Sequence, residues 1–199
     1  TLEQPPVNYK TLGKTEIDVS EFALGCWPFA GGKVWGPQDD DVSIATVHAA
    51  LDKGINFFDT AEGYDDDSHS EEVLGLALTG RLTEAVIATK ISPPHLVPGL
   101  VDEACEASLR RLRTDTIDLY QIHWPNHNVP IEDSLEALIK LKDAGKIRSI
   151  GVCNFGVNDL SSALKSADIV TDQLPYNLLW RPIEVEISPK CLENNVGLI

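Results

Sequence analysis

Short apolar runs alternate with helix-like stretches along almost the whole chain, and three of those runs end in a residue that carries chemistry. Asp59 closes INFF, Lys90 closes AVIAT and His123 closes LYQI. Lys90 comes 31 positions after Asp59 and His123 comes 33 after Lys90, about one strand-helix-strand unit each. Alternation of this kind dictates a parallel sheet covered by helices. An acid, an amine and an imidazole delivered by successive parallel strand ends is how a β/α barrel assembles a site at its C-terminal face.

The punctuation between the runs supports this order. Residues 7–12 and 17–19 read as an N-terminal hairpin, and 21–25 as the first barrel strand. Asp39 to Asp41 supply acidic caps for a helix through Lys53, stopped by Gly54. Residues 55–58 form the second strand. Ser68 and Glu71 have the spacing of a capping box for a helix to about Leu78, and Gly80 ends it. After a third strand at 85–89, Val101, Ala104, Cys105, Ser108, Leu109 and Leu112 fall on one helical face. Strands at 117–122, 147–152 and 169–171 follow, and 196–199 reads as a seventh. Between them lie helices that open at Pro130 and close at Gly145, that span about 157–167, and that span about 183–194.

Seven strands also suit an open doubly wound sheet. No GxGxxG or Walker-type sequence is present, and the polar residues sit at many strand ends, whereas a doubly wound sheet gathers its site at one switch point. The expected fold is therefore a (β/α)8 TIM barrel. A barrel needs eight strands, so residues 1–199 are expected to be a single barrel domain that is incomplete, running through about strand seven. The Gly/Pro-rich loop 27–38 is long enough to border a site.

Composition narrows the function. A formal net charge of −15 argues against nucleic acid or an anionic membrane surface as partner. No apolar run approaches the length of a membrane span, and the start, TLEQPPVNYK, is polar and carries no secretory signal. The four cysteines are widely spaced with no CxxC pair, which fits reduced thiols in a cytoplasmic protein.

Asp59 and Lys90 on adjacent strand ends form an ion pair, which by itself is equally a structural salt bridge at the barrel rim. Tyr64, five residues beyond Asp59 in DTAEGY, adds a chemical reading. A phenol with a pKa of about 10 is a poor acid until a cation stabilises its phenolate. Lys90 beside Tyr64 supplies that cation and Asp59 holds Lys90 in place. Such a Tyr gives its proton to a carbonyl oxygen that is gaining charge. His123, in HWP, is placed to orient that oxygen, or is a rim histidine satisfied by backbone. His127 lies four residues on, but Pro125 between them argues against a helical two-His metal site. Asn154 and Gln173 end later strands, and their amides suit recognition of another amide or simple loop capping. Trp27 and Trp124 wall an apolar pocket or pack in the core. No GxSxG and no His-paired cysteine supports nucleophilic hydrolysis.

Together FDTAEGYDDDSHSEEVLG, VIATK, DLYQIHWP, GKIRSIGVCNF and the DQLPYN segment resemble the aldo-keto reductases, in the family's order over nearly the whole chain. The resemblance implies a (β/α)8 barrel that binds NADP(H) without a Rossmann domain and reduces a small aldehyde or ketone. It implies Tyr64 as proton donor, Lys90 and Asp59 as its tuning pair, and His123 as the residue that orients the substrate. Asn154 and Gln173 then contact the nicotinamide carboxamide, with Cys153 where the family usually has Ser. Parts of the family's cofactor site fall beyond Ile199, so weak NADPH binding and little turnover are expected of these 199 residues alone. A regulatory, non-catalytic subunit of the channel β-subunit type and an inactive truncated form are the alternatives.

Overall fold

A computed structural model of the chain describes residues 7–65 and 67–199. The polar segment 1–6 and Asp66 lie outside the described residues. Strands β1 (Tyr9–Thr11) and β2 (Asp18–Ser20) pair antiparallel as the expected hairpin. Seven further strands form one parallel sheet in strict chain order: β3 (Ala23–Gly25), β4 (Phe57–Asp59), β5 (Val86–Ile91), β6 (Ile117–Ile122), β7 (Ile147–Cys153), β8 (Ile169–Gln173) and β9 (Gly197–Leu198). A short turn of helix, α1 (Gly32–Trp35), sits in the loop after β3. The crossovers carry α2 (Asp40–Asp52), α3 (His69–Ala77), α4 (Leu100–Leu112), α5 (Ile131–Asp143), α6 (Val157–Ser166) and α7 (Ile187–Glu193). This is the arrangement of a (β/α)8 barrel as far as its seventh strand, with β3 and β9 as the sheet's two edges.

Two cores explain why the strands read as continuous apolar runs. Ile87, Ile91, Tyr120, Ile122, Ile150 and Val152 face the helices. Phe57, Val86, Ala88, Leu119 and Val170 face the other way and meet Leu12, Ile17 and Val19 of the hairpin region. The hairpin thus plugs the end where the strands begin, and the polar residues are left at the end where they finish. In β8, the four residues from Ile169 to Asp172 oppose the three from Ile150 to Val152 in β7. That irregularity lets Val170 join the inner core while Thr171 still bonds to Gln121 inside the barrel.

The helices follow the sequence pattern, with two corrections. All six residues read as the inner face of α4 are buried, and Asp39 caps α2 through the amides of Asp41 and Val42. The capping box at α3 does not form. Ser68 adopts a left-handed conformation and its hydroxyl donates to the Glu62 carbonyl at 2.8 Å. Glu71 is instead fully buried, accepting from Thr89 Oγ1 at 2.5 Å and from Arg111 Nε at 2.7 Å. A buried carboxylate stays only where charge-assisted partners replace water, and Arg111 offers more than the helix start does. The helix expected over 183–194 is split into a 3-10 turn at Pro182–Glu184 and α7. Gly75 lets α3 lie against α4: a Cβ there would stand 2.2 Å from the Arg111 carbonyl oxygen. Among the described residues, no helix is long and apolar enough to cross a membrane.

Candidate active site

Asp59 is the last residue of β4, Lys90 lies near the end of β5 and His123 directly follows β6. Parallel pairing brings these ends to one rim. Lys90 is 2% exposed, and its ammonium reaches Asp59 Oδ1 at 2.8 Å, Asp59 Oδ2 at 2.9 Å, the Thr60 carbonyl at 2.7 Å and the Tyr64 hydroxyl at 2.6 Å. Tyr64 donates to Asp59 Oδ2 at 3.0 Å. The sequence expectation of one cluster holds, and every donor of the ammonium has an acceptor.

The electrostatics correct one expectation. Burial, then the Asp59 carboxylate, hold the Tyr64 phenol above its ordinary pKa, whereas the sequence reading had Lys90 lowering it. The phenol therefore stays protonated. His123 moves the other way. Burial and the neighbouring Lys90 cation push its pKa down to about 4 against the pull of Asp59, so the imidazole is neutral near pH 7. Its ring meets that of Tyr64 edge to face at 5.7 Å between centroids. The thiols of Cys26 and Cys153 are pushed up chiefly by burial, which leaves them protonated and poor nucleophiles.

The loop that carries Tyr64 is tied from below. Glu62 is buried, and its Oε1 accepts from the Ser92 amide at 2.7 Å and pairs with His95 Nδ1 at 2.8 Å. Gly63 permits the close approach, since a Cβ there would stand 2.5 Å from Ser92 Oγ. Trp27 stacks on Tyr64 with centroids 5.6 Å apart and donates its indole N–H to the Tyr64 carbonyl at 3.3 Å. Trp35 of α1 packs edge to face on Trp27. Neither Glu62 nor Trp35 was singled out from the sequence, although an acid inside the small-residue run DTAEGY was a visible signal for the first.

A cavity of about 700 Å³ opens over this cluster, and its lining includes Tyr64, Lys90, His123, Trp27 and Trp124. Cys153, Asn154 and Gln173 also line it, and Asp59 joins through Lys90 and Tyr64, so all nine residues expected from the sequence bear on one place. Asn154 has φ 61, a left-handed conformation that Asn tolerates better than most residues. Its Nδ2 donates to the His123 carbonyl at 3.0 Å. Gln121 is a further residue of the site that sequence reading passed over. It stands two positions before His123 on the same strand face, fully buried, and donates to Gln173 Oε1 at 3.1 Å. Chemically, the mouth offers a protonated phenol backed by a cation, a neutral imidazole and two amides.

Residues 21–199 match the Aldo/keto reductase family. The chain is 40% identical to aldo-keto reductase YhdN of Bacillus subtilis (strain 168), over 96% of this chain and 60% of the relative. It is 33% identical to the NADH-specific methylglyoxal reductase of Escherichia coli (strain K12), over 93% of this chain and 64% of the relative. A crystal structure of an aldo/keto reductase from Klebsiella pneumoniae in complex with NADP and acetate superposes with a TM-score of 0.85 at 33% identity, covering 94% of this chain and 65% of that one. The chain therefore spans a little under two thirds of the length of these proteins.

Proposed function

This chain belongs to the aldo/keto reductase family, and from that premise we propose that its protein is an NADP(H)-dependent carbonyl reductase. The observation that carries this reading is the contact of the Tyr64 hydroxyl with Lys90 Nζ at 2.6 Å and Asp59 at 3.0 Å, at the mouth of a cavity that His123 lines. A nicotinamide held in this cavity would supply the hydride that a carbonyl carbon of an aldehyde or ketone needs. The roles of the chain's own residues follow from their contacts. His123, neutral, donates an N–H to the carbonyl oxygen and fixes its position. The Tyr64 hydroxyl turns from Asp59 to that oxygen and gives up its proton as charge develops there. Lys90 stabilises the phenolate left behind, and Asp59 keeps the ammonium in reach. The product is the alcohol, and Tyr64 regains its proton from solvent.

The cofactor fits the residues present. Cys153, Asn154 and Gln173 lie together on one wall and offer polar groups to a carboxamide, with Cys153 the weakest donor of the three. Trp27 and Trp124 frame the apolar side, which suits a small carbonyl such as the methylglyoxal in the Escherichia coli relative's name. We read residues 1–199 as one barrel domain, supported by the single succession of parallel strands. Four free cysteines support a cytoplasmic setting. The test is nucleotide oxidation by the whole protein with a panel of aldehydes and ketones, using NADPH and NADH in parallel. Carbonyl-dependent oxidation that favours NADPH is expected. Absence of carbonyl-dependent oxidation with both nucleotides contradicts the reading.

A further inference from the structure

Gln173 and Asn154 each present an amide to the cavity, and what each has left to offer depends on what its other end already does. Gln173 Oε1 accepts from Gln121 Nε2 at 3.1 Å and from the Cys153 thiol at 3.4 Å. Its acceptor is therefore engaged, and Nε2, a donor, remains. Asn154 spends its Nδ2 on the His123 carbonyl, so Oδ1, an acceptor, remains. Amide orientation is set by the surrounding hydrogen bonds, so the question is what sets that of Gln121. Thr171 Oγ1 donates to Gln121 Oε1 at 3.3 Å, which turns Nε2 toward Gln173. Gln121 and Thr171 are fully buried, so neither side chain is open to bulk solvent. The two side chains are closely packed against Gly151, where a Cβ would lie 2.4 Å from Thr171 Oγ1 and 3.0 Å from Gln121 Cγ.

We propose that Gln121 is a positioning residue for the cofactor. Through Thr171, Gln121 and Gln173 in series, it makes the wall of the site a donor beside an acceptor, with the donor placed for the carbonyl oxygen of a primary carboxamide and the acceptor for its amino group. A buried amide costs free energy unless its polar atoms are matched, and an apolar residue at position 121 would fill the same space. Matching the Gln173 amide is what this side chain adds. This inference rests on the reductase reading of the same cavity.

The experiment measures dissociation constants of the whole protein for whichever of NADPH and NADH binds, and for the corresponding thionicotinamide analogue. The analogue keeps the amino group and replaces the carbonyl oxygen by sulfur, a weaker acceptor. Gln121→Met keeps the side-chain volume and removes the donor. It is expected to weaken binding of the natural nucleotide about tenfold, the worth of one hydrogen bond, and to weaken the analogue clearly less, so that discrimination between the two shrinks. Thr171→Val is expected to act in the same direction and more weakly, and it gives a second route if Gln121→Met does not fold. Equal losses for both ligands, or no loss, would mean that Gln121 only fills space and would overturn the inference alone. Failure of the wild-type protein to bind either nucleotide would overturn the reductase reading and this inference together.

Discussion

Lys90 donates to the Tyr64 hydroxyl across 2.6 Å while that hydroxyl donates to Asp59 at 3.0 Å. The phenol thus sits between a cation that favours its ionised form and a carboxylate that holds its proton. Burial and the carboxylate prevail in the free site. In the proposed reaction, an oxygen gaining negative charge in the cavity competes with Asp59 for the proton, and Lys90 is already placed to stabilise the phenolate. On that proposal, proton release is tied to the arrival of charge on the substrate.

The same contacts make Lys90 a stability residue. Its side chain is 3% exposed and that of Asp59 is 13% exposed, so Lys90→Met leaves a nearly buried carboxylate without its partner. Breaking such a pair costs about 3 kcal/mol or more. Urea denaturation of Lys90→Met is expected to show a loss of that size, and Asp59→Asn in the same chain is expected to recover part of it. A double variant less stable than Lys90→Met would contradict the pairing.

His123 is expected to remain neutral across the physiological range. With its pKa pushed down to about 4 from the ordinary 6.5 or so, the folded state disfavours the imidazolium. The histidine therefore lowers stability as pH falls through about 6.5 towards 4, and has no effect above that window. Ring chemical shifts of His123 followed by NMR check this directly. An inflection near pH 6.5 would contradict the lowered pKa.

Asp172 predicts a second pH dependence of the opposite sign. It is fully buried, and among the described residues neither carboxylate oxygen has a hydrogen-bond partner. The Phe155 amide is near enough to favour the charge but outside hydrogen-bond geometry, and burial still pushes the pKa up to about 7. Between about pH 4 and 7 the unfolded chain has lost this proton and the folded chain keeps it. Stability therefore falls as pH rises through that window and levels off above it, by at most about 4 kcal/mol. Asp172→Asn is expected to flatten the difference between denaturation midpoints at pH 5 and pH 8. An unchanged difference would mean the carboxylate ionises freely in the fold.

Much of this was legible because parallel strands and their helices impose strong periods. The α4 face was read to the residue, since three turns of helix bury one side only. The strand ends at Asp59, Lys90 and His123 were legible because a charged residue closing an apolar run has few places to go. Other features depended on partners distant in sequence. Glu71 has helix-cap spacing, yet Arg111, 40 positions on, draws it into the core. Gln121 was hidden inside LYQI because the run was read as uniformly apolar, although strict alternation from His123 points it inward with that residue. The sign of the Tyr64 shift was misread because spacing shows which charges approach a phenol, and only burial decides which of them prevails.

The most direct test of the account is Tyr64→Phe in the whole protein, assayed for aldehyde reduction alongside nucleotide affinity. The substitution keeps the ring that stacks on Trp27 and removes only the hydroxyl between Lys90 and Asp59. Loss of the proton donor is expected to lower kcat by about 10²- to 10⁴-fold, with affinity for the nucleotide nearly unchanged. Reduction at the wild-type rate would contradict the assignment of Tyr64 as the acid.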